Sequence, residues 1–118
     1  MARLVKRGQI WIADLNPGFG VEIHKKRPVL IIANDQINRF LHTTIVVPIS
    51  SQVFSESIET VFLPKKFTGL EKDSVILSVF VSAIDKNRLI KRVGLVSEEK
   101  LNEVEDALKL VLGMVSLD

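Results

Sequence analysis

The chain has 118 residues, 47% hydrophobic and 25% charged, with a formal net charge of +2 and no cysteine. This describes one ordinary globular domain spanning 1–118, able to bury a core of its own, and it excludes a disulfide scaffold and thiolate chemistry. The charge is uneven: residues 1–96 hold fourteen Lys/Arg against eight Asp/Glu, and residues 97–118 hold two against six, so a modestly cationic body precedes an acidic end.

Ile10-Trp11-Ile12-Ala13 reads as a first strand, and Asn16-Pro17-Gly18 ends it with a turn signal. A loop follows, Gly20-Val21-Glu22-Ile23-His24-Lys25-Lys26-Arg27-Pro28, cationic apart from one carboxylate. Pro28 biases Arg27 toward extended backbone. Residues 29–33 are a continuous apolar run, typical of a strand buried on both faces. Residues 34–40 are polar and can hold a helical turn. Thr43-Thr44-Ile45-Val46-Val47 is β-branched and predicts a strand running into Pro48-Ile49-Ser50-Ser51. Residues 57–63 alternate, with Ile58, Thr60 and Phe62 on one face and Glu59, Val61 and Leu63 on the other, until Pro64-Lys65-Lys66-Phe67-Thr68-Gly69 breaks the pattern. Residues 74–84 are one bent strand or two, 85–88 a turn, and 92–96 a last short strand. The end differs in kind. Ser97 is a good N-cap, Glu98 and Glu99 suit a helix N-terminus, and Leu101, Val104, Leu108, Val111, Leu112 and Val115 recur at helical spacing up to and past Gly113.

Several strands followed by one helix predict an α+β, mainly antiparallel domain: a small, partly closed barrel with a C-terminal amphipathic helix laid across it. No apolar run is long enough to span a bilayer and the start lacks the apolar core of a secretory signal, so a cytoplasmic location is expected.

Metal and cofactor chemistry find little support. His24 and His42 are the only histidines, and no acidic cluster joins either at ligand spacing, so neither a metal nor a cofactor is expected. Metal-free RNA cleavage needs less. The 2′-hydroxyl beside the scissile phosphate is the nucleophile, and the protein supplies a base, an acid and donors for the phosphoryl oxygens. Glu22 could be the base, Arg27 the phosphate clamp, and Ser50 or Ser51 a hydroxyl donor. Taken singly, a loop Glu or Arg is usually a surface ion-pair member, and Ser after Pro48-Ile49 is usually a turn residue.

The whole arrangement closely resembles the MazF/PemK toxins of bacterial toxin–antitoxin systems. The matching pieces are Arg7-Gly8-Gln9-Ile10-Trp11-Ile12-Ala13-Asp14-Leu15-Asn16-Pro17, Gly20-Val21-Glu22, Arg27-Pro28-Val29-Leu30-Ile31-Ile32, Ile45-Val46-Val47-Pro48-Ile49-Ser50-Ser51, Asp73-Ser74-Val75-Ile76-Leu77 and Ile84-Asp85-Lys86-Asn87-Arg88-Leu89 with the closing helix. They cover nearly the full length in the family's order. The resemblance implies an SH3-like barrel, a homodimer, metal-independent cleavage of single-stranded RNA at short sequences, and a cognate antitoxin whose flexible acidic segment lies across the RNA groove. It implies that Arg27, Ser50 and Glu22 are catalytic. Around them, Lys25, Lys26, His24, Ser51 and Phe80 are the expected RNA contacts on the chemistry of their own side chains, Phe80 as a stacking surface that also suits the core. The sequence departs from the family in two places: Val21 and Ile23-His24-Lys25-Lys26 stand where members often carry Ser and Gln-Gly-Gly, and Phe80 and Ser82 stand where many carry Gln and Arg. The family's fold also includes toxins that poison DNA gyrase without cutting RNA, which is the alternative reading. A plain RNA-binding barrel is a third.

Overall fold

The computed structural model describes residues 4–16, 25–52 and 57–116. Among them the order is β1 (Gln9–Asp14), β2 (Lys26–Ile31), α1 (Asp35–Phe40), β3 (Thr43–Ser50), β4 (Thr60–Leu63), β5 (Ser74–Leu77), β6 (Ser82–Asp85), β7 (Leu89–Leu95) and α2 (Glu98–Val111). Every strand pairing is antiparallel. The strands lie in the order β4-β5-β3-β2-β1-β7, and β6 pairs with β3. The sheet ends at β4 and β7 and does not close, so the expected small α+β fold is an open antiparallel sheet with a C-terminal helix.

The eight-residue β3 organises this arrangement. Its first half pairs with β6, from Thr43↔Asp85 to Val46↔Ser82, and its end pairs with β5 at Ile49↔Ile76 and Ser50↔Val75. Pro48 sits between those two partners, at the gap where a missing backbone donor costs least. The strand therefore continues through Pro48 to Ser50 rather than stopping at Val47. Residues 74–84 divide into β5 and β6, separated by a 3-10 turn at Ser78–Phe80.

Alternation along the strands builds two cores. Trp11, Ala13, Val29, Ile31, Val46, Ile84 and Leu89 belong to one buried cluster, and Ile10, Leu30, Val47, Ile49, Val61 and Leu63 to the other. This is why residues 29–31 read as continuously apolar: Val29 and Ile31 serve one core and Leu30 the other. In β4, Val61 and Leu63 point inward while Phe62 is exposed, as the alternation predicts. The strand begins only at Thr60, because residues 57–59 form a turn in which the Ser57 carbonyl accepts the Thr60 N–H.

Helix α2 closes the second core. The Ser97 hydroxyl accepts the Lys100 N–H at 3.1 Å, and Leu101, Val104 and Ala107 are buried against the strands. The apolar stripe does not pack along its whole length as its spacing predicts. Burial fades after Leu108, and Leu112, Met114 and Val115 are exposed around the left-handed Gly113 that ends the helix. Arg7 ties the helix to the N-terminal segment, its guanidinium pairing with Glu105 and donating to the Ile32 carbonyl.

A buried polar network fastens α1 to β3. Asn38 Nδ2 donates to the Ala33 carbonyl (3.0 Å) and to Asp35 (3.1 Å), and Thr44 Oγ1 donates to Asn38 Oδ1 (2.6 Å). The Arg7 backbone N–H, donated to Asp35 at 2.8 Å, holds that carboxyl below its ordinary pKa. Thr44→Val removes the only donor that the network supplies to Asn38 Oδ1. It should cost about 1–3 kcal/mol in denaturant unfolding, and an unmoved midpoint would show that the oxygen finds another donor.

The loop between β4 and β5 is pressed onto β7. The β1–β7 register runs Ile10↔Gly94, Trp11↔Arg92, Ile12↔Lys91 and Ala13↔Leu89, so Val93 and Ile90 are extra residues in two bulges. At the Val93 bulge the loop's Gly69 approaches so closely that a Cβ on it would stand 1.9 Å from the Val93 carbonyl oxygen. Inside the same loop Phe67 is held at φ +67°, a conformation that costs a non-glycine residue on the order of 1 kcal/mol or more. Among the described residues, no helix is long and apolar enough to cross a membrane.

Candidate nucleic-acid interface

Across the ends of the central strands lies an open groove of about 710 Å³. Strand β1 contributes Ile12, β2 contributes Arg27 and Pro28, β3 contributes Ile49 and Ser50, β7 contributes Lys91 and Val93, and the β4–β5 loop contributes Gly69 to Lys72. Lys25, Ser51, Gln52 and Ser74 complete the lining. Four cations, Lys25, Arg27, Lys72 and Lys91, face one carboxylate, Glu71. Ile12, Ile49, Leu70 and Val93 give the same groove an apolar component. A cationic track beside apolar surface suits a polyanion that also carries flat, weakly polar groups.

Register explains how Arg27 and Ser50, 23 positions apart, come together. Strands β2 and β3 pair Ile31 with Val46, Leu30 with Val47 and Val29 with Pro48. The same register carried two residues further brings Arg27 level with Ser50, and both line the groove. Ser50 is the last residue of β3, paired with Val75, rather than a residue beyond the strand. Its Oγ accepts the Gln52 N–H at 3.1 Å, which leaves the hydroxyl proton available for donation.

Lys25 enters the groove because the backbone turns there. Its φ of +69° is left-handed, its N–H donates to Asn16 Oδ1 (3.0 Å), and its carbonyl accepts the Leu15 N–H (3.0 Å). Arg88 secures the facing stem, its Nη1 donating to the carbonyls of Asp14 (3.2 Å) and Asn16 (2.8 Å). The stems of the β1–β2 connection are thus hydrogen-bonded to each other and to the turn after β6.

The expected site residues divide into three groups. Arg27, Ser50, Ser51 and Lys25 share the groove. Lys26 stands opposite Asp14 in the β1–β2 pairing and is exposed outside the lining, while Phe80 is partly buried against the core around Trp11, Val46 and Ile84. Phe80 is thus a packing residue, and its ring is not in the groove. Glu22 and His24 lie outside the described residues. Lys72 and Lys91 belong to the groove without having been singled out by the sequence, where each sat in an unremarkable charged segment. Lys91 arrives through the β7–β1 pairing, a contact spanning most of the chain that no local pattern signals. No group of three or more His, Cys, Asp or Glu side chains among the described residues is arranged to hold a metal ion.

Residues 6–112 match the family described as PemK-like, MazF-like toxins of type II toxin–antitoxin systems. The chain belongs to that family. It is 40% identical over 113 residues to the Bacillus subtilis (strain 168) protein Endoribonuclease EndoA, covering 95% of this chain and 97% of that one. Its fold matches crystalline MazF from Deinococcus radiodurans with a TM-score of 0.83 at 21% identity, covering 95% of this chain and 99% of the other. It also matches a mycobacterial endoribonuclease in complex with its cognate antitoxin, with a TM-score of 0.79 at 22% identity, covering 95% and 98%. The PemK/MazF match runs through both Arg27 and Ser50, on two of the strands that line the groove.

Proposed function

We propose that this PemK/MazF-like chain is an endoribonuclease toxin that cuts single-stranded RNA by attack of the substrate's own 2′-hydroxyl. The observation that carries the reading is that Arg27 and Ser50, at the facing ends of the paired strands β2 and β3, line one groove with Lys25, Lys72 and Lys91. The B. subtilis endoribonuclease at 40% identity supports the reaction class.

The steps follow from the groups at hand. The 2′-oxygen attacks the adjacent phosphorus, its proton passes to a base, the bond to the 5′-oxygen breaks, and that oxygen takes a proton from an acid. The products are a 2′,3′-cyclic phosphate and a 5′-hydroxyl. Arg27 presents a planar fork of donors suited to two phosphoryl oxygens, and stabilising charge that grows there is the largest service the protein can provide. The Ser50 hydroxyl donates a further hydrogen bond. Glu22 is the proposed base. The three lysines hold the flanking phosphates, and the partly exposed apolar lining made by Ile12, Leu70 and Val93 meets bases. A duplex would keep those base faces stacked away from the protein, so a single strand is the fitting substrate. The proposal includes a homodimer, and a cognate antitoxin whose acidic segment competes with RNA for the same cations.

Purified protein should cut a mixed-sequence single-stranded RNA in excess EDTA, at short sequences, leaving the two end groups just described. A requirement for Mg²⁺, or 3′-hydroxyl ends, would overturn the chemistry. Inhibition of gyrase supercoiling with no RNA cutting would favour the binding-toxin alternative.

A further inference from the structure

Beside the groove stands an aromatic side chain that packing does not explain. Phe67 is 89% exposed, the most exposed of the large hydrophobic side chains among the described residues. It is also held in left-handed backbone, at φ +67°. A lone exposed phenylalanine is ordinary. One at a position that favours glycine or asparagine, with almost none of its surface buried in return, is an outlier that points to a role.

The backbone around it is fixed. The Thr68 N–H and hydroxyl both donate to the Lys65 carbonyl, at 3.1 and 2.7 Å, closing a tight turn with Phe67 at its third position. The Leu70 N–H donates to Thr68 Oγ1 (3.2 Å), and Asp73 accepts the Lys65 N–H (2.8 Å). Thr68 is buried, and Gly69 and Gly94 press the loop against β7. The ring is therefore carried by a rigid turn, with Lys65 before it and the Lys66 ammonium 5.2 Å from its centroid. Two residues on, at most about 7 Å of chain, Gly69 and Leu70 line the groove, followed by Lys72.

We propose that Phe67, flanked by Lys65 and Lys66, is a stacking platform for an unpaired base of the RNA strand where it leaves the groove past Gly69 and Leu70. The inference rests on the reading of the groove as the RNA site. Every base has a π-face, so the platform holds the strand with little regard to sequence, and the lysines hold the phosphates beside it. Lys66 covers one face of the ring with a cation, and the other face is open to solvent. Phe67 touches RNA away from the scissile phosphate, so it sets affinity for longer substrates and not the chemical step.

The test uses two oligonucleotide sets carrying the mapped cut sequence. One is all-ribose, either short or extended on one side or the other. The second is extended, 2′-O-methylated so that it cannot be cut, and carries 2-aminopurine at successive flanking positions. Wild type should quench 2-aminopurine at a position outside the cut sequence. Phe67→Ala should lose that quenching, bind the extended strand about tenfold more weakly, raise KM for the extended ribose substrate, and leave kcat and short-substrate cleavage unchanged. Phe67→Trp should restore quenching. Phe67→Asn, which tolerates the left-handed backbone, should melt at or above the wild-type temperature yet lose quenching as the Ala variant does. Equal quenching and affinity in wild type and Phe67→Ala would overturn the platform. So would Phe67→Ala weakening only an acidic peptide, which would assign the ring to a protein partner. A failure of the groove reading would look different: Lys72→Ala and Lys91→Ala would leave cleavage and binding of both sets as in wild type, while quenching on the uncuttable set would still report on Phe67.

Discussion

Arg27→Ala is expected to lower RNA cleavage by at least about a hundredfold, the usual cost of removing a donor aimed at developing charge, while its thermal melt stays near wild type. The two halves of that expectation have separate origins. Arg27 sits near the start of β2, half-buried, with its side chain lining the groove rather than either core. Truncating it should therefore leave packing largely intact. In the proposed reaction the phosphoryl group gains charge as the 2′-oxygen attacks, and a guanidinium meets two oxygens at once where an ammonium meets them as a point charge. Arg27→Lys should accordingly recover a minor part of the rate. Binding should suffer less than turnover, because Lys25, Lys72 and Lys91 still hold the strand. Cleavage of a defined oligonucleotide under single-turnover conditions separates the two effects. A rate within threefold of wild type would move the phosphate clamp from Arg27 to one of those lysines.

The contrast between Arg27 and Lys91 shows which parts of the site the sequence makes legible. Arg27 precedes a proline and an apolar run, a local pattern that places it at the mouth of a buried strand, and the family resemblance supplies its role. Ser50 is legible for the same reason, although the β-branched run that marks its strand ends at Val47 and the serine reads as lying just past the strand. Continuing through Pro48 depends on β3 exchanging β6 for β5 at that point, a feature of the assembled sheet that strand propensity does not encode. Lys91 and Lys72 carry no local mark. They join the groove through β7 and the β4–β5 loop, which fold onto strands far away in sequence. Phe80 errs in the other direction: an aromatic residue just after an apolar strand suits a stacking surface as well as a core, and only the 3-10 turn at Ser78–Phe80 directs it inward. The helix spacing likewise identifies α2 but not how far the strands extend beneath it, so Leu112 and Val115 look like core and are exposed.

Gly94→Ala is expected to be among the most destabilising single-methyl additions in the molecule, at about 3 kcal/mol or more, or roughly a 10 °C fall in melting temperature for a domain of this size. A Cβ on Gly94 would stand 1.6 Å from the Thr68 carbonyl oxygen and 2.5 Å from its carbon. Both are backbone atoms, so no side-chain rotation relieves the clash. Either the Val93 bulge or the whole turn from Lys65 to Gly69 must move. Gly69→Ala meets the same wall from the other side, 1.9 Å from the Val93 carbonyl oxygen, and adds the cost of a side chain at φ +81°. Gly113→Ala isolates that second cost: its φ of +72° is comparable and nothing lies within 4 Å of its Cβ, so it should lose only about 1–2 kcal/mol. The order Gly69 ≥ Gly94 > Gly113 in denaturant unfolding separates close approach from backbone conformation. It also bears on activity, because the displaced turn carries Gly69, Leu70 and Lys72 out of the groove lining. A folded fraction of Gly94→Ala should therefore hold RNA weakly even with Arg27 and Ser50 in place. A Gly94→Ala protein that melts within 2 °C of wild type would show that the loop does not rest on β7 at this distance.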